Sequence, residues 1–336
     1  MSDKMSEVYE AYDIELIRAM RGRGAMLLAT KQGLFHLQTP EVSENRLLAE
    51  YQFKERLYDA GFTRIDRCMK NKHESLVTFD RYNNPYVLRS YFEARECNVT
   101  NPEEVRLAVM NLANFHMFGR KVWKETEGDV HVRVTVDFRR RNQELKRVRT
   151  FVTNRRPKRE FETLYLDVYE HFYEQALRCE ELYMQNANSH RNKESFECHI
   201  GYCHGMYNQH SVLIEQLDNE ELLVDTVGFD KFHVGNQLGD LYHFLRKTVE
   251  KNNYSVEVMQ EILSLYHKQC PLSEQDINYI YNLYSYPEKF YKISNQYMNA
   301  PKNWISPKME EKLRKLVKDE EKKALVLEKL SQCKIE

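Results

Sequence analysis

The stretch "CHGMYNQHSVLI", Cys203 to Ile214, decides how the chain is read. A His-Gly pair, a short polar run and a hydrophobic strand form a loop-then-strand pattern in which a carboxylate directly after the glycine would be positioned for proton transfer. The residue there is Met206, whose thioether can neither take a proton nor attract a cation. Either this is a catalytic loop stripped of its chemistry or the likeness is chance.

The surrounding sequence sets that loop in context. Residues 210–227 hold two apolar strands, "HSVLIEQL" and "ELLVDTV", joined by Asp218-Asn219-Glu220. They form a strand island in a region that is otherwise helical: after about residue 100 the long periodic segments (159–185, 236–251, 255–268, 273–285 and 307–332) read as helices. The N-terminal third reads differently. Residues 8–20 carry apolar positions at helical spacing and predict a short amphipathic helix. "AMLLAT" and "LFHLQ" flank Lys31-Gln32-Gly33, a β-hairpin pattern with a glycine free to adopt positive φ. Residues 43–60 predict a helix with Ser43 as N-cap and Gly61 at its C-terminal boundary. Strands are expected at 74–80 and 85–93, then a helix over "EEVRLAVMNLANFHMFG". The expected organisation is a β-rich lobe with one long helix over residues 1–92, and a helical lobe with an inner hairpin over 93–336. The hinge falls near 90–101.

Bulk properties exclude several classes. Fifty basic against fifty-one acidic residues leave no whole-chain field favouring nucleic acid or a membrane surface. The first residues lack the apolar run of a secretory signal, and no stretch reaches the ~18 apolar residues of a membrane span. Seven scattered cysteines read as reduced thiols in a cytosol-like compartment rather than as a disulfide framework. The 22 tyrosines read mainly as packing residues with a wetted hydroxyl. The ten Lys or Arg residues from Arg139 to Arg159, with Glu144 as the single acid, read as a solvated surface or loop, with a partner-docking patch as the alternative. No GxxxxGK[ST], GxSxG or HExxH pattern is present. Cys198, His199, Cys203 and His204 lie close in sequence, but an extended segment splits them between two faces, so they do not predict a metal site.

Kinase-type phosphoryl transfer needs a strand lysine on the nucleotide phosphates, a helix acid to steady it, a loop aspartate as base, and an Asn and an Asp for magnesium. Fragments of such a layout occur here in order: "SENRLLAEYQFKERLYDAGF", "YVLRSYFEARECNVTNPEEVRLAVMNLANFH", the quoted loop, and "GFDKFHVGNQLGDLYHFLRKTVEKNNY". Over roughly residues 10–300 the chain resembles the aminoglycoside-phosphotransferase and choline-kinase superfamily, and within it the bacterial spore-coat CotS-type kinase-like proteins. The resemblance implies a protein-kinase-like two-lobed α+β fold, with a small β-rich N-lobe and a large helical C-lobe. Carried over residue by residue, it places the phosphate-binding lysine at Gln38, the catalytic aspartate at Met206, the metal-binding Asn at Ser211 and the first acid of the metal loop at Gly228. His204, Gly205, Asp230 and Asp240 are retained as scaffold, and Ser90, Tyr91 and Phe92 are the hinge candidates. An alternative alignment makes Asp225 the metal-loop acid, alongside Asp230. Gly228 is preferred because "GFDKFHVGNQLGDL" then aligns without a gap. The acid facing Gln38 from the helix is Glu44 or Glu50.

A positioned base is worth ~10²–10⁴-fold in rate, and clamping of the phosphoryl charge is often the larger effect. Losing these groups together implies a pseudokinase with no cofactor, acting with protein partners in or near a bacterial spore coat after synthesis in the cytoplasm, without nucleic acid or membrane. The alternatives are an active ATP- and magnesium-dependent small-molecule kinase using displaced acids, and a nucleotide sensor without turnover.

Overall fold

The computed structural model describes residues 5–22, 25–124, 136–188, 198–300 and 307–333. The chain is an α+β protein with an N-terminal sheet lobe and a large helical region after it. By compactness it groups into two units, Met1–Val130 with Gly201–Val234, and His131–Ile200 with Gly235–Glu336.

The first unit opens with α1 (Ser6–Glu10) and a five-stranded antiparallel sheet of β1 (Leu16–Arg21), β2 (Met26–Thr30), β3 (Gly33–Gln38), β4 (Thr78–Phe79) and β5 (Pro85–Tyr91), in the order β1-β2-β3-β5-β4. The β2–β3 hairpin turns through Lys31 and Gln32, with Thr30 opposite Gly33. Gly33 has φ +128° and the Thr30 hydroxyl donates to its carbonyl at 2.8 Å. Phe35, Leu37, Leu28 and Leu88 pack on one sheet face with Val8, Tyr9 and Tyr12. Because side chains alternate along a strand, His36, Gln38, Val87 and Arg89 fall on the other face. Val87 meets Leu47 of α2 (Glu44–Asp59) there. The helix ends at Gly61, with φ +109°.

Two N-terminal expectations are corrected. The helix expected over 8–20 is only Ser6–Glu10, and Leu16–Arg21 is an edge strand. Its spacing suits a helix, but as a strand it pairs the edge of β2, whose backbone groups would otherwise lack a neighbour on that side, a tertiary override of local pattern. The strand expected over 74–80 contracts to Thr78–Phe79 because the Asn71 side-chain oxygen accepts the backbone N–H groups of His73 and Ser75.

After β6 (Arg95–Glu96) comes α3 (Pro102–Lys124), and later in the chain the inner hairpin of β8 (Val212–Gln216) and β9 (Leu222–Thr226), on which β6 forms a third strand. Phe53, Phe115, Phe229, Phe232 and Tyr202 form an aromatic cluster, with Phe53 stacked on Phe232 at 5.0 Å. β7 (Ile200–Cys203) and β10 (His233–Asn236) form a two-stranded ladder.

The second unit is helical: α4 (Phe138–Asn154), α5 (Glu160–Asn188), α6 (Leu238–Lys251), α7 (Val256–His267), α8 (Glu274–Ser285), α9 (Glu288–Met298), α10 (Pro307–Lys318) and α11 (Glu320–Ser331). The charged run from Arg139, expected as a surface or loop, is largely helix α4, with Phe138, Leu145, Val148 and Val152 as its buried seam. The helix expected over 307–332 is interrupted at Asp319.

Candidate functional site

The loop after β7 is held by its own groups. His204 is fully buried, and its Nε2 lies 3.0 Å from the Val227 carbonyl. A carbonyl can only accept, so Nε2 carries the proton. Nδ1 is then free to accept the Met206 N–H at 3.2 Å. Both ring nitrogens are engaged in architecture. Gly205 has φ +82°, and a Cβ there would stand 2.2 Å from the Lys231 carbonyl oxygen. No other residue fits without moving backbone. Met206 is 48% exposed. Tyr207 donates to the Ala108 carbonyl on α3 at 2.8 Å and accepts from Asn111 at 3.0 Å. The Ser211 hydroxyl accepts the Asn208 N–H at 2.9 Å and lies 3.0 Å from the Asn208 carbonyl, so it closes the loop on itself.

The following segment passes through Gly228, left-handed at φ +80°, whose N–H points at Asp66 Oδ2 from 3.4 Å. Phe229 is fully buried beside His204, ring centres 4.5 Å apart. Asp230 follows, its side chain 34% exposed and 3.5 Å from Arg89 Nη2. Asp225 on β9 is fully buried against Arg64 Nε at 2.7 Å, a contact that pairs charge but misses hydrogen-bond geometry. Burial pushes its carboxyl up from 3.8 to about 6, against the opposing pull of Arg64.

The sheet face that meets α2 carries a buried network of charges. β3 contributes no lysine or arginine: Gln38 lies opposite Val87, and His36 opposite Arg89. Of the two candidate acids on α2, Glu44 is exposed and Glu50 is buried. Glu50 reaches two cations, Lys54 Nζ at 2.6 Å and Arg89 from β5, with Arg89 Nη2 at 3.1 Å. Lys54, fully buried, also meets Asp66 at 3.0 Å. Glu50, Asp66 and Asp230 therefore share Lys54 and Arg89 in one chain of contacts. Burial alone would raise the Glu50 carboxyl, but Lys54 and Arg89 outweigh it and hold it at about 2. His36 is depressed to about 4, by burial first and then by Arg89. At the hinge, Tyr91 stacks on His36 with ring centres 5.1 Å apart, and the Ser90 hydroxyl accepts the Arg67 N–H at 2.8 Å. Phe92 lies under Arg64, 5.7 Å from its guanidinium carbon.

Within the first unit His204, Met206 and Ser211 lie on the loop before the β8–β9 hairpin and Gly228 and Asp230 on the segment after it, the two joined by the His204–Val227 hydrogen bond, and Asp230 is linked to Glu50 through Arg89. Asp225 faces Arg64 instead. Asp240 lies in the second unit, buried in the first turn of α6. Among the described residues no group of three or more His, Cys, Asp or Glu could hold a metal ion. Sequence reasoning missed Arg89, Lys54 and Asp66. Their available signal was a cation at i+4 from Glu50 on an apolar helix face, and an arginine between Val87-Leu88 and Ser90 in a strand.

A five-stranded sheet with its helix, an inner hairpin carrying a His-Gly loop, and a helical lobe together define the protein-kinase-like fold of small-molecule phosphotransferases. Solved structures agree. The chain is similar to an aminoglycoside phosphotransferase from Alicyclobacillus acidocaldarius subsp. acidocaldarius, with 16% identity, TM-score 0.79, and coverage of 96% of this chain and 94% of that one. It is also similar to the spectinomycin phosphotransferase APH(9)-Ia (10% identity, TM-score 0.65, 96% and 95% covered). A microcompartment-associated aminopropanol kinase follows at 11% identity and TM-score 0.60, with 97% and 96% covered. A search of curated protein sequences finds no match. Residues 5–330 match the family described as spore coat putative kinase YutH, and the chain belongs to that family.

Proposed function

We propose that this chain is a pseudokinase: a kinase-fold protein that does not transfer phosphate and serves as a structural, assembly or binding component of the spore coat, made in the cytoplasm and acting through protein partners. The observation that carries this reading is the division of labour inside the loop. His204 and Gly205 are fixed by backbone contacts that have nothing to do with chemistry, whereas Met206, at the aspartate position, faces solvent.

The donor set supports the same reading. Magnesium favours carboxylates together with substrate phosphates. The matching positions offer a thioether at Met206, a committed hydroxyl at Ser211 and no side chain at Gly228. The remaining acid, Asp230, is drawn toward Arg89. A magnesium–nucleotide complex does not fit these residues. Where the hinge would receive a nucleotide base, the Tyr91 ring is already stacked on His36.

The test is a thermal-shift titration with ATP, with and without magnesium, alongside ADP release from a panel of amines and alcohols. Saturation at a hundred times Kd would stabilise the fold by about 2.7 kcal/mol. We expect neither shift nor ADP. A magnesium-dependent shift with ADP release would instead identify an enzyme using displaced acids such as Asp230. A metal-independent shift without turnover would identify a nucleotide sensor.

A further inference from the structure

Helix α4 buries Phe138, Asn142, Leu145, Val148 and Val152. Its opposite face is exposed and carries Arg139, Gln143, Lys146, Arg147 and Thr150 at helical spacing, a row about 16 Å long at 1.5 Å per residue. Four cations of this region have carboxylate partners within the unit: Arg140 with Glu144, Arg141 with Glu288, Arg149 with Glu170, and Arg155 with Glu162. Arg156 and Lys158 donate to the carbonyls of Thr153 and Arg155 at the helix end. Arg139, Lys146, Arg147 and the Arg159 side chain have no carboxylate within reach among the described residues. The whole chain is nevertheless near neutral, with formal net charge −1, so this face is a local concentration of positive charge rather than part of a general field.

We infer that the exposed row of α4 docks an acidic protein segment, a run of Asp and Glu on a partner, through Arg139, Lys146 and Arg147. Carboxylates suit the forked guanidinium groups. The surroundings disfavour other polyanions. Among the described residues the rings beside the row are engaged inside the unit, Tyr173 under Lys146, Tyr169 under Arg149 and Phe151 under Arg155, and so do not offer bases a free face for stacking. The row also has no exposed apolar residue to anchor it in a lipid interface. This deepens the reading of the chain as a binding component, but the test makes no use of ATP. A chain found to turn over ATP could still pass it.

Full-length protein is titrated with a fluorescent oligo-glutamate peptide, an oligonucleotide of equal length, and phosphatidylglycerol vesicles, at low and at physiological salt. The peptide should bind, and more weakly as salt rises. Arg139→Glu/Lys146→Glu/Arg147→Glu should weaken it about tenfold or more, through loss of three exposed ion pairs, with an unchanged melting temperature. Lys312→Glu/Lys315→Glu/Lys318→Glu, three exposed cations on α10, should leave binding unaltered. Arg147→Gln alone gives a milder variant should the triple reversal unfold. Absent peptide binding, equal loss in the α10 control, or tighter binding of the oligonucleotide or vesicles would each overturn the proposal.

Discussion

Arg89→Met should loosen α2, and the size of the effect follows from the burial of the pair it breaks. The Arg89 and Glu50 side chains are 4% and 1% exposed, with Nη2 and Oε2 3.1 Å apart. Removing one member of such a pair typically costs about 3–5 kcal/mol, because the other charge stays buried. Glu50 keeps Lys54 at 2.6 Å and Asp230 can turn to water, so the lower end applies, about 3 kcal/mol. Titration gives the figure for Lys54 and Arg89 acting together against burial, not for Arg89 alone. A carboxyl held at about 2 in the fold, against an ordinary 4.5, contributes roughly 3 kcal/mol while ionised. Since the folded value is depressed, that contribution is complete above about pH 4.5 and is lost as pH falls toward 2. Hydrogen exchange at the buried α2 positions Leu47–Leu57 reads the effect directly. A loss of about 3 kcal/mol from local opening corresponds to roughly 150-fold faster exchange. Glu50→Gln should show a comparable effect, and the double variant should recover about 2 kcal/mol as coupling. The acid limb of the stability curve should flatten in Arg89→Met. Exchange accelerated less than about fivefold, or a coupling energy near zero, would refute the idea that Arg89 holds α2 through Glu50.

Gly205→Ala should cost about 2–4 kcal/mol, measured by denaturant unfolding, because it combines positive φ with a Cβ 2.2 Å from the Lys231 carbonyl oxygen. Met206→Ala should change stability by less than about 0.5 kcal/mol, as an exposed side chain without partners in the fold. Ser211→Ala, in the same loop, should cost about 1–2 kcal/mol by stripping the buried Asn208 N–H of its acceptor. The pair distinguishes a vestigial position from a structural one in a single melting experiment. Asp225 gives a pH signature of the opposite sign to Glu50. With its folded value raised from 3.8 to about 6, stability should fall as pH climbs through that interval and level off above it, and Asp225→Asn should abolish that slope.

How much was legible beforehand depended on whether the signal was local. The hairpin at Lys31–Gln32, the helix ended by Gly61 and the β8–β9 strands each carry turn chemistry and apolar period within a few residues, so they could be read directly. The β1 strand could not, because Leu16 and Ile17 are exposed in an edge strand and their spacing imitates a helix. Helix α4 was hidden by its cations, since its buried seam is sparse beside ten positive charges in the run to Arg159. Within the site, the positions Gln38, Met206, Ser211 and Gly228 were singled out by the aligned fragments alone. The cations that pair with Glu50 were not. Glu50 could be named as one of two acids, but its partners come from the same helix and from β5 rather than from β3, and that choice depends on which strand face meets α2.

The His204-Gly205 pair and Met206 beside it stand under different constraints. His204 joins the loop to Val227 through a fixed tautomer, and Gly205 lets the chain pass the Lys231 carbonyl. Either change would deform the metal-loop segment and the aromatic cluster around Phe229. Met206 is 48% exposed, and no hydrogen bond of this network uses its side chain, so an aspartate there would be required by chemistry alone. The strand cation differs again. An unpaired Glu50 in this buried position would be costly, so a β3 without lysine requires a cation from elsewhere, and Arg89 together with Lys54 meets that requirement. On the reading proposed above, Met206→Asp alone should leave the chain folded and without ADP release. The charges of Glu50, Lys54, Asp66, Arg89 and Asp230 are already paired with one another.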